Sequence, residues 1–308
     1  MIKVPRVVIV TRPTDFESLL ARHGTREQAR FFLKTRGLSI DEVETRHRRF
    51  EGAVQELVQS IPTAWRRIRV GRADLAQFVF EPEDLVAAVG QDGLVANVAK
   101  YLSGQLVIGL NPDPGFYQGV LVSHRPDLAG SLLAAAAGGR CHVQTRTMVE
   151  AVMDDGQRLL ALNEIFIGHS SHQSARYLLR QGERHERHSS SGLIVSTGTG
   201  STGWALSVHR QLHSSLHLPT PEERSLAFFV REPWPSISTG TSLSSGLLNE
   251  GEGLELVSEM AEGGTLFGDG IEQDRVHLAW GMGVQVRVAP ERLRMVVRAD
   301  DISNRRAA

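Results

Sequence analysis

Short apolar runs alternate with longer amphipathic stretches in the N-terminal part of the chain. Four strand candidates stand at residues 7–10, 65–70, Leu85–Val89 and Leu106–Leu110; the second mixes Arg66, Arg67 and Arg69 with Ile68 and Val70, and the other three are Val-, Ile- and Leu-rich runs with little polar alternation. Such runs read as strands buried on both faces of a parallel sheet. Between the first two lie residues 15–34, helical with a break near Gly24, and residues 41–61, where Val43, Phe50, Val54, Leu57, Val58 and Ile61 share one helical face. Leu94, Val95, Val98 and Leu102 recur at helical spacing after the third run. This β-α-β-α-β order predicts an α/β domain with an open, mostly parallel sheet and helices on both sides.

The period changes downstream. After an Ala-rich helix over 128–137 come short strand-like segments at 141–149, 159–167, 175–179, 193–196, 226–230, 254–257, 265–267, 276–278 and 284–288, separated by Gly, Asp, Glu and Ser. Short strands at close spacing predict a β-rich, sandwich-like C-terminal domain. One helix interrupts it, over 204–216, which would put His209, His213 and His217 on one exposed face; no carboxylate or cysteine completes a metal set there. His185 and His188 fall in a hairpin loop. The expected division is 1–112, 113–288, and a segment 289–308 that returns to the first domain and ends in a frayed polar tail.

Composition narrows the classes. The 308 residues carry a formal net charge of −1, so no global basic field points to nucleic acid. A single cysteine, Cys141, excludes a disulfide framework and a multi-Cys zinc site, and it suits a reducing compartment. No apolar run approaches the roughly 20 residues that span a bilayer. There is no signal-peptide pattern, so the expectation is a cytoplasmic protein with no membrane or nucleic-acid partner.

The stretch richest in chemistry is Gly90-Gln-Asp-Gly93, between a buried strand and a helix. A strand that turns through glycines into a helix leaves N–H groups free at the helix start, and these favour a phosphate. Asp92 stands in that turn, where it either caps the helix or serves a proton transfer or a metal. The basic segment Arg46-His-Arg-Arg49 reads as a solvated helix face rather than an anion site. Asn111-Pro-Asp-Pro-Gly-Phe-Tyr117 forms a second turn at a strand's carboxyl end.

Two further stretches lie in the β-rich part. Ala161-Leu-Asn-Glu-Ile-Phe-Ile167 is a buried strand interrupted by Asn163 and Glu164. An amide beside a carboxylate suits a nucleoside, the amide for a base edge and the carboxylate for ribose hydroxyls; a strand end or bulge gives the same pattern. Thr197-Gly-Thr-Gly-Ser-Thr-Gly-Trp204 joins a strand to a helix through small hydroxyl residues and glycines. It is phosphate-friendly but not a Walker A loop, because no Gly-Lys-Ser/Thr follows.

Taken in order, these motifs resemble the NAD kinases, specifically the mitochondrial-type branch and bacterial proteins like it. Gly90-Gln-Asp-Gly93 resembles that family's Gly-Gly-Asp-Gly motif, Gly115-Phe-Tyr117 its Gly-Phe-Tyr turn, and Asn163-Glu164 its Asn-Glu pair. The loop 197–204 resembles its Thr-x-Thr-Gly-Ser loop in the Trp-containing form, and Phe229-Val-Arg-Glu-Pro233 and Phe267-Gly-Asp-Gly270 resemble two later landmarks. The resemblance implies substrates between an α/β and a β-rich domain. It implies ATP-dependent phosphorylation of the adenosine ribose 2′-hydroxyl of NAD, with Asp92 as general base and Mg²⁺ arriving with ATP. Gly90, Gln91 and Gly93 would meet phosphates. Phe116 and Tyr117 would line the adenine pocket, and Asn163 and Glu164 would hold the adenosine. Thr199, Ser201, Thr202, Trp204 and Ser207 would line the neighbouring site. A homodimer or homotetramer is expected. Gln91 replaces the motif's second glycine, Leu94 its threonine, and Ser191 an aspartate. Two alternatives stay open: a lipid or other small-molecule kinase with a similar turn, and a nucleotide-binding regulator with an impaired phosphate loop.

Overall fold

The computed structural model describes residues 4–298. The chain divides into unit 1, residues 1–144 and 294–308, and unit 2, residues 145–293. The sequence-based boundary at 112/113 falls inside unit 1, and the polar tail lies outside the described residues.

Unit 1 is built on four parallel strands in the order β2-β1-β3-β4: β1 (Arg6–Thr11), β2 (Arg66–Gly71), β3 (Leu85–Val89) and β4 (Leu106–Leu110). Its helices are α1 (Asp15–His23), α2 (Arg26–Lys34), α3 (Ile40–Ser60), α4 (Asp92–Ala99) and α5 (Ala129–Ala137). Thr14, Thr25 and Ser39 cap the first three, each side-chain oxygen accepting an N–H of the first turn. Phe50, Val54 and Leu57 of α3 and Leu133 of α5 cover Val7, Ile9, Ala87 and Ile108 on one sheet face. The alternate positions Val8, Val10, Val86 and Ala88 are equally buried, and α4 packs beside those strands with Leu94, Val95 and Val98 at zero exposure. Burial on both faces explains why β1, β3 and β4 are runs without polar alternation, whereas β2, at the end of the strand order, is exposed at Arg66, Arg67, Ile68 and Arg69.

Unit 2 is antiparallel. Its strands are β5 (His142–Met153), which begins at the end of unit 1, then β6 (Arg158–Ala161), β7 (Glu164–His169), β8 (Ala175–Gln181), β9 (Arg184–Ser190), β10 (Leu193–Ser196), β11 (Ser225–Val230), β12 (Ser245–Asn249), β13 (Gly253–Ser258), β14 (Gly264–Gly268), β15 (Val276–His277) and β16 (Gly283–Val297). One layer has the order β12-β11-β10-β7-β14-β15; the other holds β16-β13-β8-β9 and the β5–β6 hairpin. Ile165, Val195, Phe228 and Leu266 of the first layer meet Val149, Tyr177, Leu179 and Leu254 of the second. The first layer's outer face buries Phe166, Ile194 and Phe229 under α6 (Trp204–Gln211). The last residues of β16 cross into unit 1, where Arg294 and Met295 pair in parallel with Leu106 and Val107 of β4.

Several elements differ from the sequence reading. The segment 159–167 is two strands, broken at Leu162-Asn163. His185 and His188 lie in β9, not in a loop, and His188 is fully buried. Helix α6 stops at Gln211; His213 has φ 47°, and His209 Nε2 lies 2.9 Å from the carbonyl oxygen of Leu216 in a hydrogen bond, so the three histidines do not line one face. The final strand runs on to Val297 rather than ending near 288.

Candidate nucleotide and phosphate site residues

In unit 1 the chain leaves β3 through Gly90, at φ 153°, a backbone state that side chains with a Cβ rarely adopt. Gln91 follows as N-cap with φ −105°, and its side chain caps nothing. The N–H groups of Asp92 and Gly93 have no partner among the described residues. The start of α4 is therefore an uncapped, positively polarised end. It opens on a cavity lined by Arg12, Thr14, Arg46, His47, Gln91 and Tyr117, among others.

Asp92 does not project free into that space. Its Oδ1 accepts from the N–H groups of Leu121 (2.8 Å) and Val122 (3.0 Å), and its Oδ2 from that of Val120 (2.9 Å). A carboxylate has about four lone-pair positions, so one, on Oδ2, stays open. The turn that presents Tyr117 is equally determined. Asn111 donates from Nδ2 to the Tyr117 carbonyl at 2.9 Å and accepts from the Asp113 N–H at 3.0 Å, and buried Asp113 pairs with Arg49 at 2.9 Å. Phe116 is 59% exposed, meets Tyr117 edge-on, and carries the Arg46 guanidinium 4.8 Å above its ring. Two of the four residues in the Arg46–Arg49 segment, Arg46 and His47, thus face the cavity rather than bulk solvent. Glu17, His47 and Glu51 also bring possible metal-ligand atoms within 4.8 Å of one another.

In unit 2 the break between β6 and β7 carries Asn163 and Glu164. Asp269, at φ 56°, fixes it: its carboxylate accepts from the N–H groups of Leu162 (3.1 Å) and Asn163 (2.6 Å), and its own N–H donates to the Glu164 carbonyl (3.0 Å). From the other side Thr197 donates its N–H to the Asn163 carbonyl (2.9 Å) and its hydroxyl to that of Leu162 (2.6 Å). With the backbone saturated, the side chains of Asn163 and Glu164 are left over. The Glu164 carboxylate is buried and receives no hydrogen bond among the described residues. Burial, and then the negative charge of Asp269, push its pKa up to about 7.

The hydroxyl loop is packed against this break. A Cβ at Gly198 would lie 1.9 Å from the Thr220 carbonyl oxygen, and one at Gly200 2.4 Å from that of Asn163. Thr199 is buried and its Oγ1 accepts from Arg146 at 3.4 Å; Ser201 donates to the Thr197 carbonyl at 3.1 Å. These two hydroxyls build the loop. Thr202 and Ser207 are exposed, Thr202 donating to the Thr199 carbonyl at 3.1 Å. Trp204 stacks on Phe166 with centroids 5.6 Å apart, and Arg231 lies 5.2 Å from its ring. Sequence reasoning passed over Arg12, Arg146 and the clasping role of Asp269. Only Asp269 left a signal, as part of Phe267-Gly-Asp-Gly270.

No family model matches the chain. It is 30% identical over 142 residues to an NAD kinase of Chlorobaculum tepidum, covering 44% of this chain and 47% of that protein. It is 33% identical over 177 residues to an NAD kinase of Methanoculleus marisnigri, covering 54% and 62%. A mitochondrial NAD kinase 2 of Rattus norvegicus is 26% identical over 311 residues, covering 74% and 73%. The matches with the bacterial relatives span under half of those proteins' length. Among solved structures, yeast NADH kinase complexed with NADH superposes with a TM-score of 0.62 at 14% identity, covering 98% of this chain and 86% of that one. An NAD kinase from Archaeoglobus fulgidus in complex with ATP gives 0.61 at 18%, covering 97% and 96%. In sequence the chain is similar to NAD kinases over part of its length, and its fold is that of the NAD and NADH kinase structures.

Proposed function

We propose that the chain is an NAD kinase that transfers the terminal phosphoryl group of ATP to the adenosine ribose 2′-hydroxyl of NAD. The observation that carries this reading is Glu164: a buried carboxylate without a hydrogen-bond donor, on a backbone held by Asp269 and Thr197. A buried carboxylate calls for donors, and a vicinal diol of ribose supplies two. Asn163 beside it offers both a donor and an acceptor to a base edge.

Unit 1 supplies the phosphate chemistry. The uncapped start of α4 receives phosphate oxygens, and the donor enters as its magnesium complex, the ion belonging to that substrate. Phe116 and Tyr117 offer aromatic surface to adenine. Asp92 takes the hydroxyl proton at the one lone pair of Oδ2 that its backbone bonds leave open, while those bonds fix its direction. In unit 2, Trp204 gives a flat wall at the hydroxyl loop, where Thr202 and Ser207 offer exposed hydroxyls and Thr199 and Ser201 keep the loop's shape. The same reading includes a homodimer or homotetramer, measurable by light scattering, and a cytoplasmic location. No helix among the described residues is long and apolar enough to cross a membrane.

The test is purified chain with ATP, Mg²⁺ and NAD, with NADP read by an NADP-specific dehydrogenase. Formation of NADP that requires ATP supports the reading. Folded protein that binds both nucleotides and forms none would make it a regulator. Lipid phosphorylation in place of NADP would move it to the small-molecule kinases.

A further inference from the structure

We propose that Arg12 and Arg46 form, with the start of α4, a cradle for the phosphoanhydride chain of the phosphoryl donor. This deepens the kinase reading and rests on it for the donor's role, not for the binding itself. Four observations within unit 1 converge. Both arginines line the cavity onto which Gly90 and Gln91 open. The N–H groups of Asp92 and Gly93 at that end of α4 have no acceptor among the described residues. Arg46 Nε is buried and lacks a hydrogen-bond partner among the described residues. Neither guanidinium forms an ion pair among the described residues.

An unpaired cation whose donor is shielded from water is costly unless an acceptor arrives. Arg46 is also aimed. Its guanidinium rests on the Phe116 ring at 4.8 Å, so the plane is held and the fork need not be ordered again on binding. Phosphate oxygens suit it, because guanidinium donors bind them in a bidentate manner.

The carboxylates around the cavity do not fill that need. Asp113 is paired with Arg49 at 2.9 Å. Asp15 sits in the first turn of α1, where the helix end favours its charge. Glu17 accepts from the Thr14 N–H at 2.7 Å, and Glu51 meets Arg69 at 3.3 Å. His47 is engaged through Nδ1 with the Thr14 hydroxyl at 2.9 Å. That leaves Arg12 and Arg46 for an incoming anion. In this geometry Gln91 replaces a bare glycine at small cost, since the arginines supply donors beyond the backbone.

The proposal is tested by calorimetric titration of the full chain with inorganic tripolyphosphate, ATP and adenosine. Tripolyphosphate and ATP should bind and compete with each other, while adenosine does not displace tripolyphosphate. Arg12→Gln and Arg46→Gln should each weaken both ligands by about 10- to 100-fold, the range of a charge-assisted hydrogen bond. Arg48→Gln, a change at an exposed site on the same helix, should leave them unchanged. If Arg46→Gln melts early because Phe116 loses its cation, Arg46→Lys keeps a charge and should restore part of the affinity. Tighter binding of ATP than of tripolyphosphate would identify a nucleotide donor, and equal binding an inorganic one; both retain the cradle. Unchanged affinity in the Arg12 and Arg46 variants, or an equal loss in Arg48→Gln, overturns it. The titrations need no turnover. Binding lost in the variants of a chain that makes no NADP would keep the cradle and remove the kinase. Normal NADP formation with undiminished donor binding in the variants would do the reverse.

Discussion

Asp92 is asked to do two things, and the three N–H groups of Val120, Leu121 and Val122 decide how a substitution reads out. Asparagine accepts at one oxygen only, so Asp92→Asn turns an amide donor toward at least one of these N–H groups. The variant should lose about 10²- to 10⁴-fold in kcat, the usual share of a general base. It should also lose about 1–3 kcal/mol of stability from the unpaired donor, read as a lower Tm. A variant with lowered Tm but undiminished kcat would leave Asp92 an anchor only. Glu164 behaves differently, because its carboxyl is buried without donors. Its folded pKa of about 7 lies above the ordinary 4.5. A raised pKa means that the contribution to stability is full below about 4.5 and is lost as pH rises through about 7. The loss is on the order of 3 kcal/mol. Glu164→Gln mimics the protonated form, so its Tm minus that of the parent should grow from pH 5 to pH 8. NAD affinity of the parent should rise across the same window and stay flat in the variant. A Tm difference constant with pH would show that Glu164 keeps an ordinary pKa.

At the scale of elements, the hydroxyl loop is held by contact rather than by propensity. Gly200→Ala places a methyl 2.4 Å from the Asn163 carbonyl oxygen and must push the break between β6 and β7. The expected cost is about 1–3 kcal/mol, together with weakened NAD binding, seen by denaturant unfolding and titration. An Ala variant of parental stability and affinity would mean that the loop is free to shift. Local patterns of this kind were legible where one feature dominated: β1, β3 and β4 as apolar runs, α3 by its face, the turns at Gly90 and Gly115. They were not legible where tertiary context decides. β9 reads Arg-His-Glu-Arg-His-Ser-Ser and is a strand because β8 pairs with all of it. β12 is Ser-Gly-Leu-Leu-Asn at a sheet edge. Helix α6 ends at Gln211 although the histidine spacing continues, because the His209 ring bonds the returning chain at Leu216. The Arg46–Phe116 contact shows the limit most clearly. Nothing local tells that a basic helix face will meet a ring 70 positions onward, so Arg46 read as solvated when it lies over Phe116.

On the scale of the whole molecule, unit 1 depends on the far end of the chain. Arg294 and Met295 pair with β4, and the Val296 carbonyl lies 2.8 Å from Nε2 of buried His124. Truncation after Leu293 removes these partners and uncovers an edge of β4, whose residues Val107 and Ile108 are fully buried. The truncated chain should lose the cooperative melting of unit 1 and aggregate, measured by hydrogen exchange at residues 85–89 and 106–110. Parental protection there would mean that four strands suffice.

The same arrangement has a consequence for synthesis on the ribosome. Unit 2 is one uninterrupted segment, residues 145–293, placed between two parts of unit 1. Its strands emerge consecutively, so it can close as soon as Leu293 clears the exit tunnel. Unit 1 emerges first but lacks its fifth strand until residues 294–297 follow. The earlier-made unit is therefore the later one to finish, and its β4 edge waits through the whole translation of unit 2. At about 5–20 residues per second, that wait lasts on the order of ten seconds. Over that interval an open parallel edge depends on chaperones or on its own charged flanks, and a stalled nascent-chain series with C-terminal spacers that leave residue 297 just inside or just outside the tunnel would show the difference as protease resistance of unit 1.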